Sequence, residues 1–317
     1  MESSGARRGS RARPCDRRPL LRRALVSVAV LGAAVAGTGC VKARAHSAPG
    51  AVSSASAPAP ASASASGEAS VEEAAVSVVD RDALLARAMA SVTVPDTARV
   101  SVAVLDVDSG SSAVLGADAF DTASIVKVDI LAALLLRAQD AGRNLTAREK
   151  AYATAMIENS DNASATALWN AIGGAAGLDA ANERFGLTGT EGGDGGLWGL
   201  TRTTAADQLT LLRQVFGADP ALSEASRTYL QGLMGRIAAD QRWGVSAVAD
   251  GSAWALKNGW LPRTATGLWD VNSIGRVTCG GHDYLVAVLS DGNATRAKGI
   301  ALVEAAAKAA VSAFTAG

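Results

Sequence analysis

The stretch that decides the fold is Phe120-Asp-Thr-Ala-Ser-Ile-Val-Lys127, continued by Val-Asp-Ile-Leu-Ala-Ala-Leu-Leu-Leu-Arg137. It predicts a helix that begins at or near Ser124 and is apolar on almost every side, as buried helices are. Ser124 and Lys127 are three residues apart, so their side chains share one face. The helix N-terminus favours negative charge that develops there. This pattern indicates a nucleophile with its base; the alternative is an N-cap serine followed by a lysine that extends to solvent.

The composition limits the classes of function. The chain has 317 residues, 49% of them apolar, and no net charge. The first 45 residues hold ten Lys or Arg and two acids, which leaves 20 basic and 28 acidic residues in the remainder. This balance does not indicate a nucleic-acid partner. Two histidines are too few for a His-based zinc site, and Cys279 has no second thiol nearby. We therefore predict no metal, no cofactor and no disulfide within the folded domain.

Residues 1–45 are typical of an export signal. Arginines are followed by an apolar run of about 13 residues, too short to span a bilayer as an ordinary helix. The segment 16–22, Asp-Arg-Arg-Pro-Leu-Leu-Arg, resembles a twin-arginine motif. The run ends at Cys40 in a sequence that resembles a bacterial lipobox, which favours a lipid anchor on Cys40. Cleavage after Ala45 is the alternative. Both place the mature protein outside the cytoplasm, either as a membrane lipoprotein or as a secreted protein.

Residues 46–77 are rich in Ala, Ser and Pro and poor in large apolar side chains. Such a segment cannot bury enough surface to offset its chain entropy, and we interpret it as a flexible linker. The folded domain is then residues 78–317, which we expect to be a monomer.

The order of the predicted elements gives the fold class. Hydrophobic periodicity predicts strands at 99–107, 112–115, 254–260, 268–278 and 283–290. Helices are predicted at 80–90, from Ser124, at 146–159, 162–171, 203–215, 222–237 and 295–314. The strands come from both ends of the domain and must share one sheet, so the middle helices form a second lobe. The fold class is α/β of the α+β type: an antiparallel sheet with N- and C-terminal helices, plus an all-helical lobe. Ser124 lies at the seam, where ligand sites occur.

Two further motifs follow Ser124-Ile-Val-Lys127 in order: Ser160-Asp-Asn162 between two helices and Lys257-Asn-Gly259 on a strand. The set Ser-x-x-Lys, Ser-Asp-Asn and Lys-Thr-Gly is that of class A β-lactamases and penicillin-binding proteins. The chain resembles this serine hydrolase family over about residues 79–317. The resemblance implies a β-lactamase/transpeptidase-like fold.

The resemblance also implies a role for each motif residue. Ser124 is the nucleophile and Lys127 its base, activated by burial and by nearby positive charge. Ser160 passes a proton to the leaving nitrogen, and Lys257 holds Ser160 and attracts a substrate carboxylate. The substrate-binding residues are Asn162, Asn258, Gly259 and Trp260. The backbone N–H groups of Ser124 and Trp260 form the oxyanion site.

The sequence departs from the family in two places. A loop carries a deacylating glutamate in class A β-lactamases. The corresponding segment here, residues 188–201, is a glycine-rich loop whose only acids are Glu191 and Asp194. Asn258 replaces a threonine that normally helps to bind the β-lactam carboxylate; Arg263 and Arg276 are candidates for a substitute contact. We therefore expect an acyl-enzyme on Ser124 that deacylates slowly.

The substrate class follows from this chemistry. We expect an amide, an ester or a β-lactam to acylate Ser124. Two alternatives remain open: a D-Ala-D-Ala peptidase that acts on peptidoglycan peptides, and a penicillin-binding sensor lipoprotein that does not turn over.

Overall fold

The computed structural model describes residues 79–218, 220–251 and 253–315. The predicted export signal with Cys40, the cleavage site after Ala45 and the linker at 46–77 lie outside these residues. Within the described part of the chain, no helix combines the length and the apolar character needed to cross a membrane.

The described elements form one antiparallel sheet with helices on both of its faces. The helices are α1 (Arg81–Met89), α2 (Val126–Asp140), α3 (Ala147–Glu158), α4 (Asn162–Ile172), α5 (Gly174–Phe185), α6 (Ala205–Phe216), α7 (Glu224–Met234) and α8 (Arg296–Thr315). The strands are β1 (Arg99–Asp106), β2 (Ser112–Leu115), β3 (Phe120–Asp121), β4 (Arg202–Thr203), β5 (Trp254–Pro262), β6 (Trp269–Cys279) and β7 (His282–Asn293). The main sheet has the order β2-β1-β7-β6-β5, and β3 pairs with β4. The predicted fold class is confirmed.

Two apolar cores lie on opposite faces of the sheet. Helices α1 and α8 cover one face, where Leu85 and Val303 pack against the valines of β1 and β7. The helical lobe covers the other face, where Ala103 of β1 and Leu289 of β7 share a core with the apolar residues of α6. Because both faces are covered, the residues of β1 from Ser101 to Leu105 are all buried. Its alternating sequence therefore does not mark a solvent-exposed face.

Helix α2 forms the centre of the helical lobe. A 3₁₀ turn at Ala123–Ile125 precedes it, so Ser124 lies in this turn and the regular helix begins at Val126. Twelve of its fifteen residues are buried, as the apolar sequence predicts. Asp129 is among them; burial first, then the charges of Asp207 and Asp179, raise the pKa of its carboxyl to about 8. The protonated form of Asp129 thus dominates at neutral pH, which avoids an unpaired charge in the core.

Most predicted helices agree with the structure. The capping box of α3 is present: Thr146 N–H donates to Glu149 Oε2 at 2.7 Å, and Glu149 N–H donates to Thr146 Oγ1 at 3.2 Å. Helix α5 was not predicted. It begins at Gly174 and contains a second glycine, Gly177. A Cβ on Gly177 would lie 1.8 Å from the Ile172 carbonyl oxygen, so no larger residue fits there. Glycine here permits close packing of the chain, although glycine alone indicates a loop.

Candidate active site

Lys127 is directed from the first turn of α2 into the seam between the sheet and the helical lobe. Its side chain is fully buried. Its Nζ donates to the Ser160 carbonyl at 2.6 Å, to Ser160 Oγ at 3.0 Å and to Asn162 Oδ1 at 2.8 Å. Burial lowers the pKa of Lys127 to about 7, and the charge of Asp161 partly opposes this effect. The predicted base is therefore available in its neutral form near neutral pH.

Lys257 reaches the same hydroxyl from the opposite wall. It lies on β5 and is also fully buried. Its Nζ donates to Ser160 Oγ at 3.1 Å and to the Asn258 carbonyl at 2.8 Å. Burial and then the nearby charge of Lys127 lower the pKa of Lys257 well below that of an exposed lysine.

The Ser160 hydroxyl thus lies between two amines. It has one proton to donate and two lone pairs. If one lysine is neutral, the hydroxyl donates to that amine and accepts from the other. Two adjacent ammonium groups repel each other, which favours this mixed state. The arrangement can pass a proton from Lys127 through Ser160 to a group in the seam.

The backbone around Ser160 is unusual. Ser160 has a φ of 56°, a left-handed conformation that costs a non-glycine residue ~1–3 kcal/mol. The next residue, Asp161, caps α4: its Oδ1 accepts from Ser164 N–H at 2.7 Å. This cap fixes the start of α4 and so directs both Ser160 and Asn162 towards Lys127. Asp161 therefore has a structural role, as the N-cap of α4.

Ser124 lies against β5 at a point where only glycine fits. A Cβ on Gly259 would lie 2.7 Å from Ser124 N, 2.8 Å from Ile125 N and 2.8 Å from the Thr122 carbonyl oxygen. All three are backbone atoms and cannot rotate away. The residue before the serine, Ala123, has a φ of 48°, so the chain is also strained there. The absence of a side chain on Gly259 brings the half-buried Ser124 close to the edge of the sheet.

The free edge of β5 faces this turn. Among the described strands, β5 is at the end of the sheet and pairs only with β6. Arg263 N–H donates to the Leu268 carbonyl and Thr278 N–H to the Ala253 carbonyl, so odd-numbered residues of β5 bond to β6. Hydrogen-bonded and non-bonded pairs alternate in an antiparallel ladder. The N–H of Trp260 therefore points to the free edge, as an oxyanion-site donor must.

The structure does not bring the Asn258 side chain to the other predicted site residues. Successive residues of a strand face opposite sides, so Asn258 lies on the α8 side when Lys257 lies in the seam. It is fully buried, and its Nδ2 donates to the carbonyls of Gln241 at 2.7 Å and Trp243 at 3.0 Å. This position does not support the expected contact with a substrate. The alternation of β5 was the signal that could have revealed it.

The Trp260 side chain also faces away from the seam. Its ring lies 5.9 Å from that of Trp243, and the Arg296 guanidinium lies 3.9 Å from its centroid. Only its backbone is placed for the predicted role. Trp254 and Trp269 likewise pack on the core beneath α8.

Trp198 was not predicted as a site residue. It lies in the glycine-rich loop, and its ring centroid is 4.9 Å from Lys127 Nζ. Its Nε1 donates to Thr166 Oγ1 of α4 at 3.1 Å. The two acids of this loop, Glu191 and Asp194, are exposed. No sequence signal distinguished Trp198 from the other tryptophans, because its contact with Lys127 depends on how the loop folds over α2.

The two arginines considered as cationic contacts already have carboxylate partners. Arg263 contacts Asp121 and Asp270. Arg276 lies 3.7 Å from Asp283 and stacks against Phe216.

Elsewhere in the described residues, the ligand atoms of Asp106, Asp108 and His282 lie within 4.8 Å of one another. These three residues lie on β1, the following turn and β7, whereas the two lysines lie on α2 and β5. A metal bound by them would therefore take no part in chemistry at Ser124.

Comparison with known proteins gives a family match and several similar solved structures. Residues 140–314 match the beta-lactamase enzyme family, Beta-lactamase2. No curated protein sequence matches the chain. The structure is similar to PBP-A, with 22% identity and a TM-score of 0.64 over 74% of this chain and 97% of that one.

Two further solved structures have the same fold. A variant of the last common ancestor of Gram-negative class A β-lactamases gives 22% identity and a TM-score of 0.61 over 75% of this chain and 99% of that one. A class A β-lactamase from Bacteroides cellulosilyticus DSM 14838 gives 17% identity and a TM-score of 0.63, with the same coverage of 75% and 99%.

The close approach at Gly259 gives a testable prediction. In Gly259→Ala, the added Cβ forces the backbone at Ser124 away from β5, and acylation of Ser124 by benzylpenicillin should slow by about 10-fold or more, given that losing one oxyanion donor costs about 10²–10³-fold. The rate is measured by intact mass spectrometry. The control is Gly196→Ala, because a Cβ there meets nothing within 4 Å. An unchanged rate in Gly259→Ala would mean that the contact does not matter.

Proposed function

Because the chain belongs to the β-lactamase enzyme family and is a serine hydrolase, we propose that Ser124 forms an acyl-enzyme with a β-lactam, amide or ester and that this acyl-enzyme is cleared slowly. The observation that carries the proposal is the pair of buried lysines that share the Ser160 hydroxyl, at 3.0 and 3.1 Å. Such a pair supplies a neutral amine at neutral pH without any histidine.

The acylation step assigns a role to each of the predicted catalytic residues. Lys127, in its neutral form, accepts the proton of Ser124 as Oγ attacks the carbonyl carbon. The N–H groups of Ser124 and Trp260 stabilise the resulting oxyanion. Ser160 then donates its proton to the leaving nitrogen as the C–N bond breaks, and Lys127 returns a proton to Ser160. Lys257 stays bound to Ser160 throughout and keeps its hydroxyl directed at the leaving group.

Slow deacylation is supported by the position of Trp198, whose ring lies over Lys127. A carboxylate there could remove a proton from the attacking water, whereas the Trp198 indole cannot accept a proton at neutral pH. The loop is also fixed in place: Asp207 accepts from Gly189 N–H at 2.8 Å and from Thr190 Oγ1 at 2.6 Å, and Asp179 accepts from Gly192 N–H at 2.8 Å. A variant of the similar protein PBP-A is known as an acyl-enzyme complex with penicillin G.

The first test is intact mass spectrometry with benzylpenicillin. We expect the mass of the protein to increase by one intact penicillin and to stay raised for minutes to hours, with no increase in Ser124→Ala. The acylation rate should rise as the pH increases through about 7, because the pKa of Lys127 is lowered to about that value and only the neutral amine acts as a base. Rapid loss of the drug with only a transient adduct would contradict slow deacylation, and an adduct on Ser124→Ala would contradict the nucleophile.

The second test replaces the residue over Lys127. Trp198→Glu places a carboxylate near the acyl-enzyme and should shorten the lifetime of the penicillin adduct by about 10-fold or more, since a general base contributes roughly 10²–10⁴-fold. Leu197→Glu is the matched control, because Leu197 is the adjacent residue and is exposed. Its adduct should persist as in the wild type. If Glu191→Gln or Asp194→Asn lengthened the lifetime instead, one of those acids would be the deacylation base.

Two alternatives depend on the natural substrate. An indole over Lys127, in the place of a carboxylate, is compatible with a D-Ala-D-Ala peptidase of peptidoglycan peptides. This alternative requires release of D-Ala from a cell-wall pentapeptide. The indole is also compatible with a penicillin-binding sensor, which would form the adduct and turn over neither substrate. The two assays together separate these functions.

We also propose export and a lipid anchor, supported by the sequence of residues 1–45 alone. Cys40→Ser should move the native protein from the membrane fraction of the producing bacterium to the soluble exported fraction. A mature N-terminus at His46 in the wild-type protein would instead support cleavage after Ala45.

A further inference from the structure

Asp121 lies three residues before Ser124, in the short strand β3, and its side chain is only 9% exposed. Each of its carboxylate oxygens accepts from a different arginine. Arg263 Nη1 donates to Oδ2, and Arg202 Nη1 donates to Oδ1 at 3.3 Å. A carboxylate held on both oxygens has little freedom to rotate, so it fixes the positions of both guanidinium groups.

The two arginines belong to different walls of the active site. Arg263 immediately follows β5, the strand that carries Lys257 and Gly259. Arg202 begins β4, directly after the glycine-rich loop that carries Trp198. Its backbone N–H and carbonyl form two hydrogen bonds with the backbone of Glu191 in that loop, both 2.9 Å. One carboxylate thus joins the segment before the nucleophile to β5 and to the loop.

The backbone of the same segment is held separately. Asn272 of β6 donates from Nδ2 to the Asp121 carbonyl at 2.9 Å and to the Thr122 carbonyl at 3.0 Å. Asn272 is the register partner of Gly259. The main chain before Ser124 is therefore tied to β6, and the Asp121 side chain is tied to the end of β5. Two attachments prevent β3 from rotating about either one.

The charge cluster around Asp121 combines nearly buried acids with partly exposed arginines. Asp270 lies 3.5 Å from Arg263, so the cluster contains two acids and two arginines. The exposed fractions of the arginine side chains are 38% for Arg263 and 47% for Arg202. The two acids are nearly buried, at 9% exposed for Asp121 and 6% for Asp270. Several charges held in such a fixed geometry define a position. The position in question is that of the Ser124 N–H relative to the free edge of β5.

We propose that Asp121 is a positioning residue for acylation: it holds the Ser124 turn and the β5 edge at the separation that the oxyanion site requires. The inference rests on the proposed acyl-transfer function. Asp121 touches neither the substrate nor the reacting atoms. Replacing Asp121 should weaken stabilisation of the transition state. It should leave unchanged the affinity for the unreacted substrate and the number of adducts formed per protein.

The test measures acylation of the full chain over a series of benzylpenicillin concentrations. The saturation curve gives the dissociation constant of the unreacted complex and the acylation rate constant, and the endpoint gives the number of adducts per protein. In Asp121→Asn we expect the rate constant to fall by about 10-fold or more, below the roughly 10²–10³-fold loss of a whole donor. The dissociation constant should stay within about 2-fold, and the endpoint should remain one adduct per protein.

The matched control is Asp118→Asn, three residues earlier. Asp118 is 60% exposed and lies 3.6 Å from Arg99, and its replacement should leave all three quantities unchanged. Arg263→Gln should slow acylation, as Asp121→Asn does. The double variant should be no slower than the slower single variant, because each change breaks the same Asp121–Arg263 contact. Arg263→Lys, which keeps the charge without the planar guanidinium, should be intermediate.

The outcomes separate the inference from the proposed function. A normal acylation rate constant in Asp121→Asn overturns the positioning role alone. A normal rate constant with fewer adducts per protein also overturns it, because that result describes a purely structural residue. Absence of any adduct in the wild-type protein overturns the proposed function and the inference with it.

Discussion

The active site depends on burying two lysines around one hydroxyl. Lys127 and Lys257 approach Ser160 from a helix and from a strand, and both side chains are withdrawn from water. Burial destabilises the charged form of an amine, and the proximity of a second amine destabilises it further. The chemistry of a base therefore comes from the packing of two layers against each other rather than from the intrinsic pKa of any one residue. Separating the layers would return both lysines to their ordinary protonated state.

The rest of the structure keeps the two lysines close to Ser160 and keeps β5 close to Ser124. The sheet has a core on each face, which fixes β5 relative to α2. Gly259 has no side chain, and this allows the backbone of β5 to approach Ser124. Ala123, which precedes Ser124, and Ser160 itself both have positive φ. Strained backbone of this kind persists only where the surroundings hold it. The caps, ion pairs and amide hydrogen bonds around Ser124 and Ser160 provide that restraint.

Sequence reasoning recovered the elements whose signals are local. The buried helix, the capping box of α3 and the two lobes follow from periodicity and from side chains within a few residues of each other. Helix α5 was missed because its glycines indicate a loop when read locally, whereas in the fold they allow close packing. Asn258 was assigned to the substrate because its motif was considered as a unit. In a strand, neighbouring residues face opposite sides, and Asn258 bonds to the 241–243 segment instead.

The sequence by itself determined the order of the three motifs, the class of the fold and the identity of the two lysines and the serine, Ser160, that meet at the seam. Residue type and spacing carry that information, because helices and strands of known period place each motif on a definite element. Only the tertiary structure decided which groups surround those residues. Trp198 over Lys127 and the partners of Asp121 join residues far apart in the chain. Such contacts depend on how the layers pack, and local periodicity contains no information about them.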